Sequence, residues 1–307
     1  MFEKLVLVTR KTRLAELVER LNTRAQARFY LEHAGQDFED YSREDDTYRR
    51  ALDVLHGELT QQGLPVQQVD RSLVPTFLFT GKELVVAVGQ DGLVANVAKY
   101  VNGQPLVGIN PDPSRFDGVL LPFGVKDAHT AVRRTLESKA RMREVTLAEA
   151  RLNDGQRLLA FNDLFLGART HVSARYALKH GKTTETQSSS GVLVSTGAGS
   201  SGWLSSVFTL ARGLTQDTGG VPGKPWKMGW EDPRLAFVVR EPFISRHSTA
   251  HLISGFVTPG QPLVIESRMP SGGVIFSDGV EEDFLAFSAG ATAHIRPAEQ
   301  CARLVVP

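Results

Sequence analysis

Glu83-Leu84-Val85-Val86-Ala87-Val88-Gly89-Gln90-Asp91-Gly92-Leu93 is the stretch on which the reading of the fold turns. Leu84 to Val88 is a short, continuous apolar run, which reads as a strand buried on both faces. Gly89 and Gly92 turn the chain, and Val94 to Val101 resumes with helical spacing. A buried strand that passes through a glycine turn into a helix is one step of a parallel, helix-covered sheet, because parallel strands need crossover connections. Outward from this unit, Lys4–Val8, Pro65–Val69 and Leu106–Ile109 supply further short strands. Helical stretches lie between and after them: Arg13–His33, Asp46–Gln62 with Gly63 as a stop, and Lys126–Ser138. Gln36–Asp46 is dense in acids and reads as solvated loop or helix turn. The N-terminal part is therefore α/β.

Beyond about residue 140 the pattern changes. Arg141–Arg151, Arg157–Leu166, His171–His180 and Gly191–Ser195 are strand-like, with hairpin signals at Asn153-Asp154-Gly155 and His180-Gly181-Lys182. One helix interrupts, from about Ser201 to Gly213, and residues 216–233 are too rich in Gly and Pro for regular structure. Strands resume at Leu235–Val239, His251–Val257, Pro262–Ser267, Val274–Ser277, Phe284–Phe287 and Thr292–Ile295. Many short strands in series predict a β-sandwich-like second domain. The expected division is 1–140 and 141–307, with the C-terminal tail free to return to the first domain.

Composition narrows the function classes. The 307 residues are 41% hydrophobic and 22% charged, so disordered and fibrous classes are excluded. Thirty-five Lys and Arg against 34 Asp and Glu leave a formal charge of +1, which argues against a nucleic acid or an anionic membrane as partner. No run of 18 apolar residues and no secretory signal pattern occur. The single cysteine, Cys301, allows no internal disulfide and fits a reducing, cytoplasmic setting. His247 and His251 lack a third ligand, and no metal site is expected.

Several segments could carry chemistry. At the carboxyl edge of a parallel sheet a helix N-terminus offers N–H groups to anions, and Gly89 and Gly92 allow close approach of phosphate. Asp91 there is either a helix cap or a group that handles a metal or a proton. Ile109-Asn110-Pro111-Asp112-Pro113 ends a second strand in a stiff polar loop. Asn162 and Asp163 interrupt an apolar strand, so they either brace a neighbouring loop or grip ligand hydroxyls. Ser195-Thr196-Gly197-Ala198-Gly199-Ser200-Ser201-Gly202-Trp203 is a small-residue loop that opens a helix. It reads either as a structural turn with Trp203 in the core or as a polar floor with Trp203 free to stack. Glu281-Glu282-Asp283 reads as a solvated turn, and Ser277-Asp278-Gly279 as a plain one.

In this order the segments resemble the NAD kinase family, most closely its mitochondrial type. The likeness rests on Gly89-Gln90-Asp91-Gly92, Gly108-Ile109-Asn110-Pro111-Asp112-Pro113-Ser114-Arg115, Phe161-Asn162-Asp163-Leu164-Phe165-Leu166-Gly167, Ser189-Ser190-Gly191 leading into Ser195–Ser200, Arg240-Glu241-Pro242 and Asp278-Gly279. It implies a Rossmann-like α/β domain followed by an all-β, sandwich-like domain, with both substrates in the crevice between. It implies NAD(H) as acceptor, ATP with Mg²⁺ as donor, and transfer to the adenosine ribose 2′-hydroxyl, giving NADP(H). Asp91 would be the catalytic residue. Cofactor contacts would come from Gly89, Gln90, Gly92, Asn110, Asp112, Asn162, Asp163, Thr196, Gly197, Gly199, Ser200, Ser201, Trp203 and Asp278. A homo-oligomer, dimer or tetramer, built through the β-rich domain is also implied. The chain departs from the family's Gly-Gly-Asp-Gly-Thr, since Gln90 and Leu93 stand at its second and fifth places. Gln90 puts a side chain where the backbone would hug phosphate, and a positive φ there would be costly. Two other readings follow: a non-catalytic or altered-donor nucleotide-binding protein of the same fold, and a lipid or sugar kinase of the same superfamily.

Overall fold

The computed structural model describes residues 2–307. The chain forms two compact units, one running to Arg143 and taking in Arg303–Pro307, the other Glu144–Ala302. In chain order the first holds β1 (Lys4–Thr9), α1 (Arg13–Leu21), α2 (Arg24–His33), α3 (Phe38–Thr60), β2 (Val66–Asp70), β3 (Glu83–Val88), α4 (Asp91–Ala98), β4 (Pro105–Asn110), β5 (Phe123–Gly124) and α5 (Ala128–Leu136).

Four parallel strands make its sheet in the order β2-β1-β3-β4. Every residue of β3 is buried. Leu5, Leu7, Leu84, Val86, Val88, Val107 and Ile109 form one apolar face, against which α3 and α5 bury Tyr48, Leu55, Leu59, Ala131 and Val132. Strand alternation sends Val6, Val8, Val85 and Ala87 to the opposite face. The one charge in β3, Glu83, is fully buried because Thr80, Gly81 and Gln104 all donate to its carboxylate.

Two helical readings change here. Arg13–His33 is two helices, since Asn22 takes a left-handed conformation (φ 67°) and the Thr23 hydroxyl caps α2 by accepting from Gln26 N–H. The acid-rich Gln36–Asp46 is not loop: Asp37 caps α3, and the helix runs from Phe38. Glu44 and Asp45 are buried. Arg10 and Arg13 neutralise Glu44, and Arg49 pairs with Asp45. The partners of Glu44 lie 34 and 31 positions away in sequence, so the local pattern read as solvated.

The second unit follows with β6 (Arg141–Leu152), β7 (Arg157–Ala160), β8 (Asp163–Ala168), β9 (Ala174–His180), β10 (Thr183–Ser189), β11 (Val192–Ser195), α6 (Trp203–Asp217), β12 (Leu235–Val239), β13 (Ser254–Val257), β14 (Leu263–Ser267), β15 (Gly273–Ser277), β16 (Val280–Ala286) and β17 (Thr292–Val306). An antiparallel sheet, β13-β12-β11-β8-β15-β16, stacks on a second antiparallel set formed by β6, β7, β9, β10, β14 and the first part of β17. Between them lie Leu164, Leu166, Val192, Val194, Leu235 and Phe237 from one side and Tyr176, Leu178, Leu263, Ile265 and Ile295 from the other. This is the sandwich that the sequence predicts, two sheets whose inward residues alternate with outward ones. The last strand is longer than its apolar start suggests, and its residues Arg303 and Leu304 pair in parallel with Pro105 and Leu106 of β4.

Two strand readings are corrected, and one strand is added. Arg157–Leu166 is two strands, broken at Phe161 and Asn162. Thr183–Ser189 is a strand despite being wholly polar, because it is an edge strand that pairs only with β9. Glu281–Asp283 belongs to β16, an exposed edge, and not to a turn.

Phe237 is fully buried at the centre of the sandwich. Phe237→Ala should therefore cost about 3–5 kcal/mol, read as a lowered midpoint of urea unfolding. A change within error would show that the two sheets do not share a close-packed core.

Candidate functional site

In the first unit the carboxyl ends of the adjacent strands β1 and β3 define the candidate site. β1 is followed by Arg10 and β3 by Gly89-Gln90-Asp91-Gly92. In the order β2-β1-β3-β4 the connections leave β1 and β3 in opposite directions, the switch point at which open α/β sheets bind ligands. Asp91 is not the helix cap. That position belongs to Gln90, whose side chain makes no capping bond, and Asp91 begins α4. Its Oδ1 accepts the Leu120 N–H at 2.6 Å, so one oxygen is anchored to the loop after β4, and the other has no hydrogen bond among the described residues. Gln90 has φ −131°, and neither Gly89 nor Gly92 has a positive φ. The expected conformational penalty at Gln90 is thus absent. Leu93 is buried, and its side chain packs where a Cβ on Gly89 would lie.

Asn110 and Asp112 shape the neighbouring loop from within. Asn110 donates through Nδ2 to Phe116 O (2.9 Å) and accepts from Asp112 N–H (3.0 Å), while Asp112 accepts from the N–H and hydroxyl of Ser114. Gly108 has no room for a Cβ, which would sit 2.1 Å from Leu120 O. The close approach holds Leu120 over the sheet edge and hence against Asp91.

In the second unit three loops are knitted together around Asn162. The carboxylate of Asp278 accepts the N–H groups of Phe161 (3.0 Å), Asn162 (2.6 Å) and Asp163 (3.3 Å). Asp278 itself has φ 54° and Gly279 φ 71°, so the Ser277-Asp278-Gly279 turn is a brace rather than a plain turn. Thr196 closes the other side, donating its hydroxyl to Phe161 O at 2.6 Å and its N–H to Asn162 O at 2.9 Å. Gly199 lies so close that a Cβ would meet Asn162 O at 2.1 Å, and Gly197 likewise meets Gly229 O. The glycines of the 195–203 loop serve close packing, and Ser200 turns its hydroxyl back to Gly197 O. Ser201 starts no capping bond and lies on the exposed side.

This bracing leaves the side chains of Asn162 and Asp163 without a hydrogen-bond partner among the described residues. Asp163 is 7% exposed. Burial, and secondly the nearby charge of Asp278, raise its carboxyl pKa from the ordinary value to about 7. Two residues further along the same strand face, Phe165 stacks on Trp203 with ring centroids 5.6 Å apart. Trp203 is therefore neither core nor free: it lines a pocket of about 550 Å³ with Phe165, Phe276, Phe284, Arg169 and Arg240. The Arg240 guanidinium lies 5.1 Å from the Trp203 ring. That volume suits a small-molecule ligand. Phe165 and Arg240 were legible only as parts of motifs, because cross-strand neighbours on a sheet face leave no local spacing signal. Among the described residues no group of three His, Cys, Asp or Glu could hold a metal ion, and no helix is long and apolar enough to cross a membrane.

The raised pKa of Asp163 fixes a pH dependence. The folded state holds a proton that the unfolded state has lost between about pH 4 and pH 7, so stability falls as pH rises through that window. Asp163→Asn mimics the protonated form. It should be more stable than the wild type at pH 8, by on the order of a few kcal/mol, with the difference vanishing near pH 4. Melting curves across pH check this; parallel pH profiles for the two proteins would refute it.

Comparison with protein-family models and with curated proteins finds no match. Solved structures do match. An NAD kinase from Archaeoglobus fulgidus in complex with ATP is 16% identical with a TM-score of 0.55, covering 98% of this chain and 93% of that one. Yeast NADH kinase complexed with NADH is 15% identical with a TM-score of 0.56, covering 100% of this chain and 84% of that one. Two units with a parallel α/β sheet and an antiparallel sandwich, matched over almost their whole length, give this chain the fold of the NAD kinases.

Proposed function

We propose that the protein is an NAD kinase-like phosphotransferase that uses ATP to phosphorylate the adenosine ribose 2′-hydroxyl of NAD(H). The observation that carries this reading is the buried carboxylate of Asp163, held beside the Asn162 amide with no hydrogen-bond partner among the described residues. A buried carboxylate without donors is costly, so the pair suits a ligand that brings hydroxyl groups. A ribose does so. The Phe165–Trp203 face two residues along the strand suits a planar ring attached to it. The two solved structures of this fold carry the matching ligands, ATP in one and NADH in the other.

The first unit carries the groups that this reading assigns to the transfer step. The N–H groups of Asp91 and Gly92 begin α4, where the N-cap Gln90 makes no side-chain bond, a setting for an anionic phosphate. Asp91, fixed through one oxygen by Leu120, can orient the 2′-hydroxyl and take its proton with the other. The new bond joins the ribose oxygen to the γ-phosphorus as the bond to ADP breaks. Such transfer depends on positioning and charge neutralisation more than on covalent catalysis. Mg²⁺ would arrive with ATP, neutralising its phosphates. The extended conformation of Gln90 removes the conformational argument for an inactive loop, so the active reading is preferred to a purely binding one.

The test is incubation with NAD or NADH, ATP and Mg²⁺, with NADP(H) measured by a coupled dehydrogenase. Asp91→Asn keeps an acceptor for Leu120 N–H and loses the charge. It should lower kcat by about 10²–10⁴-fold at unchanged melting temperature. Absence of any phosphorylated dinucleotide from the wild type, with ATP or another nucleoside triphosphate, would overturn the proposal.

A further inference from the structure

Arg10 lies directly after β1, beside the turn that follows β3, and has no place in the motifs that suggest the activity. Its side chain is only 8% exposed. Four contacts fix it. One amino group donates to Glu44 Oε1 at 3.0 Å and the other to Lys11 O at 3.0 Å. The guanidinium lies over the rings of Tyr48 and Phe116, at 5.4 and 5.7 Å. Tyr48 is in turn pinned, accepting from Arg10 N–H at 2.9 Å and donating to Val88 O at 3.0 Å. Burial first of all pushes its hydroxyl pKa up to about 12, so it stays protonated and able to donate. Glu44 is shared with Arg13, 2.6 Å away, and Asp40 holds Arg13 and Arg115. The buried end of α3 thus acts as a carboxylate platform on which three arginines are set at the carboxyl edge of the sheet.

What this arrangement leaves over is informative. The Arg10 Nε–H is fully buried and has no acceptor among the described residues. A Cβ on Gly89 would lie 3.5 Å from Nε and 3.4 Å from Cδ of Arg10, so the turn passes within van der Waals reach of that side of the guanidinium. The same turn presents the N–H groups that begin α4, where the N-cap Gln90 makes no side-chain bond. A cation with an unused donor and the positive end of a helix therefore meet at one turn, at the switch point of the sheet.

We infer that Arg10 binds the phosphate chain of the nucleotide donor, holding by charge and hydrogen bonds an anion that the Gly89–Gly92 turn alone would hold by backbone. The identity of the anion as a nucleoside di- or triphosphate rests on the proposed kinase reading; its character as a phosphoryl group rests on the site. Glu44 and Tyr48 are positioning residues for the guanidinium, since they touch Arg10 and not the phosphate. An arginine suits the role better than a lysine, because stacking and the Glu44 bond fix its plane while donors remain.

Calorimetric titration with MgADP, alongside steady-state kinetics, tests this. Arg10→Gln should raise the Kd for MgADP and the KM for ATP by about 10- to 100-fold, the range expected for a lost hydrogen bond to a charged group, with NADH binding changed less than about twofold. Arg10→Lys should fall between wild type and Gln, since it keeps the charge; a merely structural arginine would make Lys as harmful as Gln to both ligands. Should either variant fail to fold, the ¹⁵Nε–H resonance of Arg10 in the wild type decides. It should shift on adding MgADP and not on adding NADH. Unchanged MgADP affinity in a folded Arg10→Gln protein, or an unmoved Nε–H resonance, would overturn the assignment. A wild type that binds MgADP through Arg10 yet forms no NADP(H) would sink the proposed activity and leave the phosphate site standing.

Discussion

The second unit depends on how one carboxylate is spent. Asp278 commits its oxygens to the N–H groups of Phe161, Asn162 and Asp163, and Asp163 O accepts the Asp278 N–H in return. That brace breaks the strand between β7 and β8 and leaves the Asp163 side chain, on a residue 7% exposed, without a hydrogen-bond partner among the described residues. Burial first, and then the nearby Asp278 carboxylate, drive the Asp163 carboxyl toward its proton. The fold thereby stores an unsatisfied acceptor that a ligand hydroxyl can satisfy. Thr196 and the small residues around it complete the brace, which explains why that loop admits glycine at positions 197 and 199.

The first unit uses the opposite device, stored positive charge. Asp40 and Glu44 sit on the first turns of a long helix and gather Arg10, Arg13 and Arg115. Arg115 belongs to the loop after β4, so the ion pairs also tie that loop to the helix. Asp40, bonded first to Arg115 and then to Arg13, has its pKa drawn down to about 2 and stays ionised at any working pH. Leu120 N–H on Asp91 links the same loop to the turn after β3. The departure of that turn from Gly-Gly-Asp-Gly-Thr is absorbed without strain: Gln90 is extended, and Leu93 fills space beneath Gly89.

Much of this was legible in the residues. The buried runs of β1, β3 and β4, the glycine turn and the switch to short alternating strands near residue 140 all follow from periodicity, and the architecture follows from them. The order of the short polar segments pointed to the fold of the NAD kinases. Three things were not legible, each for a physical reason. The acid run before residue 46 looked solvated because its arginine partners come from Arg10, Arg13 and Arg115, 27 to 75 positions away. The break at Asn162 is imposed by Asp278, more than a hundred residues later. Thr183–Ser189 carries no apolar alternation, since the residues on its buried side, Glu185, Gln187 and Ser189, are polar and held by hydrogen bonds. Long-range polar contacts leave no period in the sequence, and they are what builds the site.

The central claim is that Asp163 receives ribose hydroxyls. Donors from a bound ribose would lower its raised pKa, so binding near pH 6 must expel the proton that burial retains. Calorimetry of NADH binding at about pH 6, repeated in buffers of different ionisation enthalpy, counts that proton directly. The account predicts release of about one proton per NADH bound to the wild type and essentially none for Asp163→Asn. NADH binding by the wild type without proton release, or equal release by both proteins, would contradict it.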